Sequence, residues 1–127
     1  MPTAIRPTAP ERSKIIQGYG GGAFRIDDEV HRGPIMIVPG AVLPWSAGAA
    51  DSLTPEAFRA FADYTDALDF IVLGTGSDFV FLPSAVREGV KRDTGLPVEF
   101  MDTGAACRTY NMLVTEGRRV GSALVPI

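Results

Sequence analysis

The side chains most able to do chemistry crowd the C-terminal quarter of the chain. Asp102, Thr103, Cys107, Arg108, Thr109, Asn111, Arg118 and Arg119 fall within eighteen positions, and Cys107 is the one cysteine. A helix expected from about Ala105 to Glu116 would begin beside Asp102 and Thr103. The free N–H groups and positive dipole end of a helix N-terminus attract anions, and Arg108 stands in the first turns to help. A second candidate is Gly74-Thr75-Gly76-Ser77, a turn that follows an apolar run. In sheets with parallel strands, ligands bind beyond the carboxyl ends of the strands. If the strands before Gly74 and Asp102 are parallel neighbours, both ends share one rim and a small anionic ligand fits there. The competing reading is architectural: two tight strand-to-helix connections, with Asp102 or Thr103 as the helix cap.

Cys107 lies near the start of the same helix, where a thiol can become reactive. A reactive thiol in an enzyme wants a histidine base, and the one histidine, His31, is far away in sequence. Ala106, Tyr110, Leu113 and Val114 share an apolar stripe with Cys107 at its margin, so burial is the expectation. Arg108, Asn111 and Thr115 form the opposite, polar stripe. Arg118 and Arg119 follow Gly117 as a small basic spot, either a solvated turn or a partner contact, and with Arg108 and Asn111 they are the residues expected to form a recognition surface.

Other constellations carry less. There is no GxSxG, HExxH, CxxC or P-loop lysine in the chain. One histidine and one cysteine are too few for a His/Cys metal centre, and no cofactor is implied. Asp27 and Asp28 sit in an expected turn, and Asp63 and Asp66 on a helix surface. Gly20-Gly21-Gly22 could cradle a phosphate only if a helix followed. Ala23-Phe24-Arg25-Ile26 instead alternates like a strand, which favours a turn. Trp45, the one tryptophan, reads as the plug of a core end or as an interface anchor.

The elements that must hold these residues are legible in outline. With 46% hydrophobic and 21% charged residues, 127 positions should form one packed domain. Residues 1–14 read as a flexible N-terminal lead-in and 15–127 as the domain. Hairpins are expected over 15–32, then a doubly buried strand at Ile35–Val38 and a loop over Val42–Trp45. A helix should open at Thr54-Pro55-Glu56, with Thr54 as cap and Phe58, Phe61, Ala62, Thr65 and Leu68 on its inner face. A second buried strand follows at Phe70–Leu73, extended structure briefly at Phe79–Leu82, and a helix from about Ser84 to Arg92 closed by Gly95. Val98–Met101 and Val120–Val125 complete the strands. Helices alternating with apolar strands mark an α/β domain with a partly parallel sheet.

A net charge of −3 argues against nucleic acid as the main partner. No apolar run reaches the roughly 18 residues of a transmembrane segment. An exposed strand edge in the front hairpins leaves room for a homodimer.

Four blocks carry a resemblance over about residues 15–127. They are Gly18–Gly22 with Phe24 and Ile26; Ile35–Pro39; Ile71–Gly76; and Met101-Asp102-Thr103 with Ala106–Asn111 and Glu116–Val120. Together they resemble the Mth-domain family of small uncharacterised proteins, with the last block most similar to its complex I assembly factor 3 branch. The resemblance implies a single-domain three-layer β/β/α fold of mixed sheets, no established catalytic residue, and work through protein contacts. The lack of a mitochondrial presequence points to a bacterial member in the cytoplasm. Two functions follow as expectations: a non-enzymatic assembly or adaptor factor, or a small anionic-ligand binder or enzyme using the Gly74/Asp102 rim with Arg108 as clamp.

Overall fold

Two short apolar runs make the centre of the molecule. Ile35–Val38 and Phe70–Gly74 are rich in β-branched and large apolar residues, and both become interior strands of one sheet. The computed structural model describes residues 14–127. Of the expected lead-in, residues 1–13 lie outside the described residues. Lys14 is described, and its Nζ donates to Asp27 Oδ2 at 2.7 Å.

The front of the chain forms a three-stranded antiparallel sheet, β1 (Ile16–Gly20), β2 (Ala23–Ile26) and β3 (Glu29–Arg32). Asp27 and Asp28 both adopt positive φ, 54° and 63°, the left-handed pair that a tight two-residue hairpin requires. The glycine run is the other hairpin turn: Gly21 and Gly22 have φ of 59° and 80°. Gly22 N–H donates to the Ile127 carbonyl at 2.7 Å, so the turn is tied to the C-terminus. No helix follows it, and the phosphate cradle has no scaffold.

The second sheet contains β4 (Ile35–Val38), β5 (Ala41–Pro44), β6 (Phe70–Gly74), β7 (Val98–Met101) and β8 (Val120–Leu124), in the order β5-β4-β8-β6-β7. β6 runs parallel to β7 and β8, and β4 antiparallel to β5 and β8. Strand alternation divides the core into two halves. Met36, Val38, Ile71, Leu73 and Ala123 meet Trp45, Phe58, Phe61 and Val90 on one face. Ile35, Ile37, Val72 and Leu124 meet Phe24 and Ile26 of the small sheet, and Ala106, Cys107, Tyr110 and Val114, on the other. The three layers are thus helices, the mixed sheet, and the small sheet sharing its layer with the last helix.

Three local expectations need correction. Val42–Pro44 is not loop but part of β5, an edge strand paired with β4. Pro39-Gly40 turns the chain back, and Pro44 is tolerated because it ends an edge strand. The helix over Pro55–Ala67 is a 3-10 helix, and Thr54 makes no side-chain capping bond to it. Its inward residues recur every three positions (Pro55, Phe58, Phe61, Tyr64, Ala67), which suits three residues per turn; Ala62, expected inside, is exposed. Phe79–Leu82 forms no regular element. Trp45 is the core plug: it is 4% exposed, and its Nε1 donates to the Ala57 carbonyl at 2.6 Å. A short 3-10 turn stands at Ala50–Ser52, and the two α-helices, α1 (Ser84–Thr94) and α2 (Thr103–Thr115), lie close to their expected bounds.

Candidate functional site

Because β6 and β7 are parallel neighbours, Gly74-Thr75-Gly76 and Asp102-Thr103 do share a rim. Protein atoms fill it. Thr103 is fully buried. Its Oγ1 donates to the Val125 carbonyl at 2.6 Å and accepts from Gly76 N–H at 2.8 Å. Thr103 N–H donates to the Gly76 carbonyl at 2.8 Å, and Val125 N–H to the Gly74 carbonyl at 3.0 Å. Thr75 Oγ1 donates to the Asp78 carbonyl at 2.7 Å and accepts from Val80 N–H at 3.1 Å. A Cβ on Gly74 would lie 2.7 Å from Thr103 Oγ1 and 2.9 Å from Leu124 Cδ2, so only glycine lets α2 dock this closely. Asp102 is the cap: its Oδ1 accepts from Ala105 N–H at 3.0 Å. At this helix start the N–H groups of Thr103, Ala105 and Ala106 already serve the fold.

The polar residues of α2 and the turn after it separate into two groups. Asn111 and Arg119 have structural partners. Asn111 Oδ1 accepts from Ile16 N–H and its Nδ2 donates to the Ile16 carbonyl, both at 2.9 Å, so one amide extends the edge of β1. Arg119 donates to Asp69 Oδ1 at 2.7 Å and to the Asp66 carbonyl at 3.1 Å. That hydrogen bond holds the Asp69 carboxyl below its ordinary range and raises Arg119. Arg108 and Arg118 remain exposed. Arg108 and the Tyr19 hydroxyl both lie over Gly104, where a Cβ would meet Tyr19 Oη at 2.9 Å and Arg108 Nη1 at 3.5 Å.

Cys107 is 2% exposed. Burial pushes its thiol up to about 12 against the opposing pull of Arg108, so it stays protonated and inert at neutral pH. Tyr110 is pushed upward by burial as well. Among the described residues, no group of three or more His, Cys, Asp or Glu is placed to hold a metal ion. None of the described helices is long and apolar enough to cross a membrane.

Two surface features escaped the residue-by-residue reading. Met112 is 54% exposed and lies between Arg108 and Thr115 at helical spacing i, i+4, i+7. Periodicity carried that signal, since position 112 is off the apolar stripe. Phe79 and Phe81 are 58% and 62% exposed and pack on Phe100. Their alternation after a glycine turn looks like a strand in sequence, which hid a surface aromatic cluster.

Residues 16–125 match the family described as protein of unknown function (DUF498/DUF598). An uncharacterized protein of Rhodobacter capsulatus is 42% identical over 112 residues, covering 88% of this chain and 84% of that one. NADH dehydrogenase (ubiquinone) 1 alpha subcomplex assembly factor 3 of Rattus norvegicus is 35% identical over 111 residues, 87% of this chain and 60% of the rat protein. The chain therefore spans less than two thirds of that assembly factor. The crystal structure of a protein described as an outer membrane protein from Bartonella henselae superposes with a TM-score of 0.79 at 31% identity, covering 93% of this chain and 98% of that one. The solution structure of a Mth938-like domain from Bordetella pertussis gives a TM-score of 0.77 at 25% identity, with 99% and 92% covered.

Proposed function

The chain belongs to the DUF498/DUF598 family, and from that premise we propose that it is a non-enzymatic assembly or adaptor factor acting in the assembly of respiratory complex I. The observation that carries this reading is the 35% identity to assembly factor 3 across 87% of the chain. The geometry supports it. The rim at which a small-anion binder would hold its ligand is packed with Thr103 and the Val125 backbone. The thiol that could serve as nucleophile is buried and protonated.

We assign partner contact to the outer stripe of α2, Arg108, Met112 and Thr115, continued by Arg118. Arginine is enriched at protein interfaces, and an exposed methionine adapts its shape to a partner. Of the other candidates, Asp102, Thr103, Asn111 and Arg119 act by holding the helix and the turn that present this stripe, and Gly74-Thr75-Gly76 by letting α2 approach. The cytoplasm is the compartment in which this work is proposed to occur.

Affinity capture with the tagged chain tests the reading. Subunits of complex I should be retained by the unaltered chain and lost with Arg108→Glu combined with Met112→Asp. Capture of the same subunits at equal yield by both forms would contradict the assignment of the surface. A homodimer through the free edge of β3, where Val30 is 60% exposed, accompanies the proposal. Sedimentation as a monomer across the micromolar range would remove it.

A further inference from the structure

Among the described residues, the large sheet ends at β7, and nothing in the strand order pairs with its outer edge. Ile71 N–H donates to the Pro97 carbonyl and Thr75 N–H to the Met101 carbonyl. In a parallel ladder, alternate residues bond to the same neighbour. Positions 97, 99 and 101 therefore face β6, while the backbone N–H and C=O groups of Val98 and Phe100 face outward. Beside this edge lies a hollow of about 260 Å³, lined by Ser84, Arg87, Glu88, Lys91, Pro97 and Val98.

Arg87 is held above the edge. Its Cζ is 5.6 Å from the centre of the Phe81 ring and 5.5 Å from that of Phe100. Phe79 stacks on Phe100 at 5.6 Å, and Phe81 meets it edge-on at 5.4 Å. The guanidinium is thus fixed by ring contacts, and its Nε is shielded from water with no acceptor among the described residues. Among the described residues its one side-chain hydrogen bond, from Nη2 to Ser84 Oγ, is long at 3.4 Å. A shielded N–H donor without an acceptor is costly until one arrives. With Lys91 one helical turn on and Glu88 the one acid in the lining, the hollow carries net positive charge on a chain whose net charge is −3.

We propose that the free edge of β7 is a docking site for an extended acidic segment of a partner protein. The segment adds a sixth strand to the large sheet through Val98 and Phe100, and sets a carboxylate against Arg87 and Lys91. Two residues along, on the same face, an apolar side chain lies on Phe79, Phe81 and Phe100. Side chains two apart on a strand share a face, so one segment can present a charged and an apolar side chain to the adjoining guanidinium and rings. Strand addition of this kind takes affinity from the main chain and selectivity from alternate side chains. The inference stands apart from the complex I reading, because neither the edge nor the hollow involves α2.

The test is a titration of the full ¹⁵N-labelled chain with a capped heptapeptide of sequence threonine, valine, glutamate, valine, phenylalanine, valine, threonine. Amide signals of Val98 and Phe100 and the Nε–H signal of Arg87 should move together. Affinity should fall about tenfold with Arg87→Gln, and also when lysine replaces the glutamate of the peptide, as expected for loss of a charge-assisted hydrogen bond. Phe81→Ser, at a position 62% exposed and so tolerant of change, should weaken binding without altering the fold. Shifts confined to other surfaces, no shifts at millimolar peptide, or equal response to the glutamate and lysine peptides would overturn the proposal. So would a concentration-dependent dimer abolished by Phe81→Ser, because the edge would then be filled by a second copy.

Discussion

Thr103 occupies the place where a ligand oxygen would have to sit. Its hydroxyl joins two connections far apart in the chain, donating to the Val125 carbonyl and accepting from Gly76 N–H. Thr103→Val keeps the shape and leaves both backbone groups without a partner. Unfolding in urea should show a loss of about 2 kcal/mol; a loss within error of zero would mean the rim is looser than described. Cys107 gives a prediction with a sign. Its folded value is about 12 against an ordinary 9.0, so above pH 9 the unfolded thiol has released its proton while the folded one has kept it. Stability should therefore be flat from pH 6 to 8 and fall as pH rises beyond 9, by about 1 kcal/mol at pH 10. Tyr110, shifted in the same direction, adds to the fall at still higher pH. In Cys107→Ala, the decline between pH 9 and 10 should shrink. At this scale the sequence already carried a cap at Asp102 or Thr103 and the burial of Cys107, because both depend on neighbours within one or two helical turns. It could not show that Asn111 is engaged, since the partner, Ile16, is 95 residues away.

α2 is the element that connects the two sheets. It packs on β6 and β8, and Asn111 holds the main chain of β1 at Ile16. Asn111→Leu removes both bonds at once. Amide exchange should then accelerate at Ile16 while protection in β6 and β8 stays near its original level. Uniform acceleration across both sheets would show that β1 is part of the global unfolding unit. Most elements were readable because local chemistry agreed with burial: β-branched runs for β4 and β6, and a left-handed Gly95 closing α1. β5 was not, because a short, half-buried edge strand ending in Pro44 has the composition of a loop. The long 3-10 helix was not either. Phe58 and Phe61 satisfy both the α and the 3-10 spacing; Ala62, exposed where an α-helix would bury it, and the half-buried Tyr64 and Ala67 distinguish them.

Across the whole molecule, the two faces of the mixed sheet do different work. One buries the 3-10 helix and α1, and the other buries α2 and the small sheet. The layer order and the family followed from four sequence blocks that also build the core and the rim. Function was less legible, because residues that look chemical in sequence, Thr103, Cys107 and Asn111, turn out to hold the structure. The surfaces left over, the outer stripe of α2 and the edge of β7, contain residues such as Met112, Phe79 and Arg87 that no motif marks. The central claim is that the chain assists complex I assembly through α2. The most direct measurement is assembled complex I, by native gel and NADH oxidation, in a host deleted for this gene and re-supplied with the unaltered chain or with Arg108→Glu/Met112→Asp. Restoration by the unaltered chain and failure of an equally abundant, equally stable variant is the predicted result. Normal complex I in the deleted host would contradict it.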